Sequence, residues 1–298
     1  MRWNRRWRIT RSANGASEDG ETAVSGGDSK PLSDLKVRLI AGLAMAAVAL
    51  GLLWLGGVAF LALGVIICAL VLREWCGITG AARSRVAYRI ALTLLAASFG
   101  LGGSGRWEWA LALVVIGGLA MALWGVGLRQ RAARWTGLGL VYAAVPGLAL
   151  VWLRGLPDGF LIVLWLMVAV ALTDTFAYFA GRRFGGPKLA PRISPKKTWS
   201  GLIGGMAGAA LGGWVIGALF GLPLAASGAL AGAAAVLAVV AQAGDLAESA
   251  LKRAFDVKDS GSILPGHGGI MDRVDGLIAA APVVALAELV GLGIGAIL

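Results

Sequence analysis

Long apolar runs recur along almost the whole chain, and no other feature constrains its fold as tightly. Nine can be delimited: Val37–Leu55, Gly57–Leu72, Val86–Leu101, Trp109–Leu128, Gly137–Leu153, Phe160–Ala180, Gly201–Phe220, Leu224–Gly244 and Leu277–Leu298. About 20 apolar residues in a helix cross the hydrocarbon of a bilayer. No backbone N–H or C=O can be left unpaired there, so each run is expected to be a helix. The fold class that follows is all-α: a polytopic integral membrane bundle of about nine transmembrane helices. Hydrophobic residues make up 58% of the 298, which excludes an ordinary soluble domain.

The net charge of +11 has a topological origin. With the amino terminus placed inside and nine spans counted, 25 of the 27 Lys and Arg fall on the inner side and only Arg106 and Arg154 on the outer. Such asymmetry sets membrane orientation. It puts the amino terminus and both long polar loops, 181–200 and 245–276, in the cytoplasm of a cell (inner) membrane protein. The basic surplus therefore does not imply nucleic acid; attraction to anionic lipid headgroups is a secondary effect. Arg5-Arg6 is followed by no apolar run before Val37, so the first span is expected to be an uncleaved anchor.

Three regions follow. Residues 1–34 are polar and charged, expected as a disordered cytoplasmic tail. Residues 35–155 hold spans one to five, with almost no acidic residues, and read as a scaffold. Residues 156–298 carry the two polar loops and are expected to be catalytic. Cys68 and Cys76 give neither a disulfide framework nor zinc-ligand spacing. Span seven repeats Gly201, Gly204, Gly205, Gly208, Gly212, Gly213 and Gly217. Small residues at three- and four-residue spacing let helices approach closely in lipid, so tight packing or a dimer face is expected there.

Chemistry concentrates in the polar segments. Seven of the 16 acidic residues are Asp174 or lie between Asp245 and Asp275. Clustered carboxylates suit a hard divalent cation that bridges phosphates; they equally suit ion pairs with Lys252, Arg253 and Arg273 at headgroup level. Asp245 and Glu248 are three apart, as are Asp272 and Asp275, so helical continuation would set each pair on one face. Asp174 sits within an apolar run, where an unpaired carboxylate costs several kcal/mol. Pro265-Gly266-His267-Gly268-Gly269 has the glycines of a backbone nest for anions, or of a tight turn. His267 is the sole histidine, which excludes histidine-rich zinc chemistry. Gly181 and Gly186 have the spacing of a phosphate-binding loop, but Pro187 stands where lysine is needed. Lys196 and Lys197 can hold a polyphosphate as point charges, or simply anchor the inner face.

The 27 residues from Ser249 to Asp275, with Ser249, Leu251-Lys252-Arg253, Lys258-Asp259, Leu264-Pro265, His267-Gly268-Gly269 and Asp272-Arg273-Val274-Asp275, resemble the signature of the phosphatidate cytidylyltransferases. Asp174, Ala177-Tyr178, Gly181-Arg182 and Ser194-Pro195-Lys196-Lys197-Thr198 are similar to that family's other landmarks. The resemblance is motif-specific over residues 174–276 and general before them. Phe176 departs from the glycine usual in the family, and Ser200 from the glutamate. The resemblance implies transfer of CMP from CTP to phosphatidic acid, giving CDP-diacylglycerol and pyrophosphate. It implies catalytic Asp245, Asp272, Lys258, Asp259, His267 and Arg273. Substrate would be held by Ser194, Lys196, Lys197, Thr198, Lys252, Arg253, Gly266, Gly268 and Gly269. Magnesium would be held by Asp245, Asp272, Asp174 and Asp275, with potassium as a second ion, in a homodimer.

Three other readings compete, and one of them, a catalytically idle scaffold, is disfavoured because every expected site aspartate is present. A transporter of an anionic lipid or nucleotide would place its charges near the midplane between repeats; here they collect at one face and no repeat is visible. A CDP-alcohol phosphotransferase would carry an Asp-Gly-x-x-Ala-Arg motif, which is absent.

Overall fold

The computed structural model describes residues 31–261, 263 and 268–297, with side chains from residue 42 onward. The expected tail thus lies outside the described residues up to residue 30, and so do Gly266 and His267 of the glycine turn. Among the described residues the chain forms nine α-helices: α1 (Pro31–Leu55), α2 (Gly57–Ile78), α3 (Arg85–Gly103), α4 (Trp107–Gly127), α5 (Arg131–Arg154), α6 (Gly159–Phe184), α7 (Trp199–Leu219), α8 (Leu224–Ala254) and α9 (Met271–Leu289). Helices α2 to α8, seven in all, are long and apolar enough to cross a membrane. The all-α membrane bundle read from hydropathy is the observed fold.

Helix ends differ from the apolar runs for one physical reason. Hydropathy marks the part of a helix that suits hydrocarbon, whereas the helix itself continues until its terminal groups meet a cap or water. So α2 runs six residues past Leu72, and α8 continues ten residues past Gly244. The segment 245–276, read as loop, is helical at both ends, and the connection between α8 and α9 is residues 255–270. The last run, Leu277–Leu298, is a helix that begins earlier, at Met271, and stops at Leu289 before a turn with Gly291 at φ 73°.

One element was not expected. Residues 188–198 form a two-stranded antiparallel hairpin, β1 (Lys188–Ala190) and β2 (Ser194–Thr198), with Lys188 opposite Thr198 and Ala190 opposite Ser194. β2 feeds directly into α7, whose first turn is capped by Thr198: its Oγ1 accepts from Gly201 N at 3.1 Å.

The glycines of α7 are a packing seam, as one of the two expectations held. A Cβ on Gly205 would lie 2.9 Å from Thr173 O of α6, and one on Gly213 would lie 2.6 Å from Leu230 O of α8. Phe176 lies across Gly208, where a Cβ would meet its ring. Without a hydrophobic force between helices in lipid, such close backbone approach is what holds α6, α7 and α8 together. The scaffold half uses aromatic locks instead. Trp75 Nε1 of α2 donates to Trp135 O of α5 at 2.8 Å, and the Trp75 ring stacks within 4.7 Å of Tyr142. Both cysteines are free and buried.

Candidate active site

A helix rises about 1.5 Å per residue, so the 31 residues of α8 reach about 46 Å, well beyond the roughly 30 Å of bilayer hydrocarbon. Its polar last turns therefore stand clear of the apolar segment. The same end of the bundle gathers the carboxyl end of α2, the amino ends of α5, α7 and α9, the carboxyl end of α6, and the hairpin. Trp135 and Arg131 of α5 close over Phe255 just after α8, at 4.9 and 5.6 Å between groups.

Two lysines and three carboxylates, joined by three ion pairs, form the site. On the α8–hairpin side, Lys197 Nζ lies 2.6 Å from Asp245 Oδ2 and 3.3 Å from Gln242 O. Ser249, one turn on, donates to Asp245 Oδ1 at 3.3 Å. In β2 successive side chains face opposite ways, so Lys197 turns inward to Asp245 while Lys196 stays exposed. Asp275, in the first turns of α9 and ahead of its apolar part, senses the same group. Burial pushes its carboxyl up to about 7, and the charges of Asp245 and Asp174 push the same way, against Gly276 N–H and Lys197.

On the α8–α9 side, Lys252 Nζ bridges Asp272 Oδ1 at 2.6 Å and Glu248 Oε1 at 3.0 Å. Asp272 Oδ2 accepts from the backbone N–H of Ser260 at 3.1 Å and of Gly269 at 3.3 Å. Burial opposes the charge on Asp272, but Glu248, Lys252 and Ser260 beside it outweigh that and hold its carboxyl well below the usual range. Glu248 is 2% exposed, and its Oε2 has no hydrogen-bond partner among the described residues. Asp245 with Glu248 and Asp272 with Asp275, in a segment read as loop, lie on α8 and α9, so the helical continuation that their three-residue spacings allowed is present.

Sequence reasoning missed Glu74. This residue of α2 is 4% exposed and accepts from Ser260 Oγ at 3.1 Å, Ile270 N at 2.9 Å and Met271 N at 2.7 Å. The signal was present: a carboxylate closing an apolar run is expensive unless partnered, the argument already applied to Asp174.

The remaining expected residues divide. Asp174 is an exposed residue of α6, three turns from its carboxyl end. Lys258, Asp259, Arg253 and Arg273 are exposed around the loop. Gly268, at φ 80°, turns the backbone beside Asp272. Thr198 is buried at 4% and spends its hydroxyl on the α7 cap and on Ser200 Oγ at 3.0 Å. Ser200 in turn donates to Gly185 O, so this departure ties the start of α7 to the end of α6. Ser194 is half-buried at the start of β2. Among the described residues no three His, Cys, Asp or Glu side chains converge as a metal cage.

Comparison with known proteins bears on all of this. Residues 36–290 match the model of the cytidylyltransferase family. A phosphatidate cytidylyltransferase of Brucella abortus is 40% identical over 266 residues, covering 84% of this chain and 92% of that protein. One from Pseudomonas aeruginosa is 37% identical, covering 84% and 96%. One from Rickettsia prowazekii is 35% identical over 176 residues, covering 57% and 77%. The match takes in the scaffold half as well as the motif-bearing half, and the chain belongs to the cytidylyltransferase family.

Proposed function

We propose that this chain is a phosphatidate cytidylyltransferase, which joins CTP and phosphatidic acid into CDP-diacylglycerol and releases pyrophosphate. The observation that carries this reading is the pair of contacts Asp245–Lys197 and Asp272–Lys252, each at 2.6 Å, at one end of a membrane bundle. That end is where a lipid headgroup and a water-soluble nucleotide meet, with acyl chains left in hydrocarbon.

The reaction suits these residues. An oxygen of the phosphatidate phosphate attacks the α-phosphorus of CTP. The new P–O bond forms as the bond to the β-phosphate oxygen breaks, and pyrophosphate leaves. The nucleophile is already anionic at neutral pH, so no strong general base is required, and a chain with one histidine suffices. What the protein supplies is in-line placement and neutralisation of charge. Lys197 and the exposed Lys196 at the hairpin hold CTP phosphates, and Lys252 and Arg253 on the last turns of α8 face the second phosphate group. Arg273 and Lys258 draw the anionic headgroup to this end.

Carboxylate oxygens suit magnesium, but among the described residues no three of them converge, so an ion would have to draw them together. Asp245 and Asp272 each already face a positive charge at 2.6 Å, and carboxylate oxygens are the donors that a hard divalent ion takes. We place the ion with Asp245 and Asp272, supported by Asp174 and Asp275, and potassium as a second ion by family resemblance. When bound, magnesium would neutralise charge on the departing pyrophosphate. The same reading puts the amino terminus and this end of the bundle in the cytoplasm, and a homodimer in the membrane.

The test is incorporation of labelled CTP into lipid by purified protein in detergent with phosphatidic acid, with and without magnesium, beside Asp272→Asn. Magnesium-dependent product that vanishes in the variant is the expected result. Product that survives in the variant moves the ion elsewhere. Folded wild type that makes no product across lipids and salts overturns the reaction and revives transport.

A further inference from the structure

Helix α9 begins without a cap of its own. Its N-cap position is Ile270, which has no polar side chain, and Met271 follows. The first N–H groups of a helix are unsatisfied and carry the positive end of its dipole, so an uncapped start among buried residues is costly. The missing acceptor comes from α2, nearly 200 residues earlier in the chain: Glu74 Oε1 takes Ile270 N at 2.9 Å and Oε2 takes Met271 N at 2.7 Å.

The same carboxylate also grips the loop from its other end. Ser260 Oγ donates to Oε2 at 3.1 Å, while the Ser260 backbone N–H donates to Asp272. Two glycines make room for it. A Cβ on Gly261 would lie 2.9 Å from Glu74 Oε1, and one on Gly269 would lie 2.7 Å from Oε2 and run into Ser260 Oγ. Asp272 is the residue after Met271, and its Oδ2 is held by Ser260 N and Gly269 N. Among the described residues, both backbone N–H groups that bond Asp272 Oδ2 thus belong to residues that Glu74 either bonds or lies against.

We propose that Glu74 is a positioning residue for cytidylyl transfer: from the scaffold half, it sets Asp272 in place through Ser260, Gly269 and the first turn of α9. This rests on the reaction proposed above. It makes α2 part of the catalytic apparatus, acting through another residue and not on substrate. Displacing a reacting group by about 1 Å can cost about 100-fold in rate, so small shifts at Glu74 are magnified at Asp272.

The experiment uses the full chain in detergent and separates kcat from KM for CTP, beside the melting temperature. In Glu74→Gln one oxygen becomes an amide NH2 aimed at a backbone N–H. We expect kcat to fall about 10- to 100-fold with KM for CTP little changed. Adding Ile270→Asp to that variant supplies a local helix cap. If Glu74 positions Asp272, this second change restores the melting temperature and leaves kcat low; recovery of kcat would show that Glu74 is only a cap and overturn the proposal. Should Glu74→Gln fail to fold, Ser260→Ala removes a single bond to the same carboxylate. Its kcat is then expected to drop about threefold or more at unchanged melting temperature, and wild-type kcat there overturns the proposal. Wild-type protein that makes no product sinks the reaction, and this inference with it; an active wild type matched by Glu74→Gln sinks this inference alone.

Discussion

Asp245 and Asp272 carry the same functional group, face ammonium groups at the same 2.6 Å, and are built into the protein in opposite ways. The Asp245 side chain is 33% exposed, with a lysine from a hairpin and a serine from its own helix as partners. The Asp272 side chain is 17% exposed, and both oxygens are engaged, one by Lys252 and the other by two backbone N–H groups. The first carboxylate is open and adjustable, and the second is part of the framework. In a site that must admit a nucleotide and a lipid, one fixed point and one yielding point divide the work of placement and of access.

Substitution can break this comparison. Asp272→Asn is expected to have the largest effect, lowering activity at least about 1,000-fold and also lowering the melting temperature, because an amide cannot accept from both sides and leaves Lys252 and Glu248 unbalanced. Next, Asp245→Asn is expected to lose activity about 100-fold with a melting temperature close to wild type. If both variants melt alike, the two carboxylates are equivalent and the division fails. Lys252→Met comes third. It strands two carboxylates that are 1% and 17% exposed at the side chain, so unfolding in denaturant should show a loss of about 3 kcal/mol. Lys197→Met should cost far less stability by the same measurement, since Asp245 keeps access to water.

The smallest effect concerns Asp275. Its folded carboxyl is raised to about 7, while in the unfolded chain it titrates near the usual value of about 4. Between these values the folded state holds a proton that the unfolded state has lost, so this group makes stability fall as pH rises through that window. Asp275→Asn removes the dependence. Without divalent ions, its melting temperature relative to wild type should therefore be higher at pH 8 than at pH 5. An equal difference at both values would separate Asp275 from the charges of Asp245 and Asp174.

Much of this site was legible before any coordinates. The lengths of the apolar runs identified the bundle, because lipid leaves the backbone no alternative to helix. The three-residue spacings of Asp245 with Glu248 and Asp272 with Asp275 held because helices outrun their apolar parts. The hairpin was harder: Ser194-Pro195-Lys196-Lys197-Thr198 is short and contains a proline, and only pairing with Lys188–Ala190 makes it a strand. That pairing is what separates Lys197 from Lys196, two neighbours that composition treats alike. Glu74 was legible as a cost but not as a partner, since nothing near it in sequence answers its charge.

The sequence by itself determined the membrane, the helical class and the segment that bears the chemistry, because each of these follows from local hydropathy and from a contiguous motif. Which carboxylate is fixed and which yields, and that a glutamate of the scaffold caps the helix of the site, were decided only by tertiary structure. The second relation joins residues almost 200 positions apart, and a hydrogen bond depends on where two groups stand in space and not on where they stand in the chain.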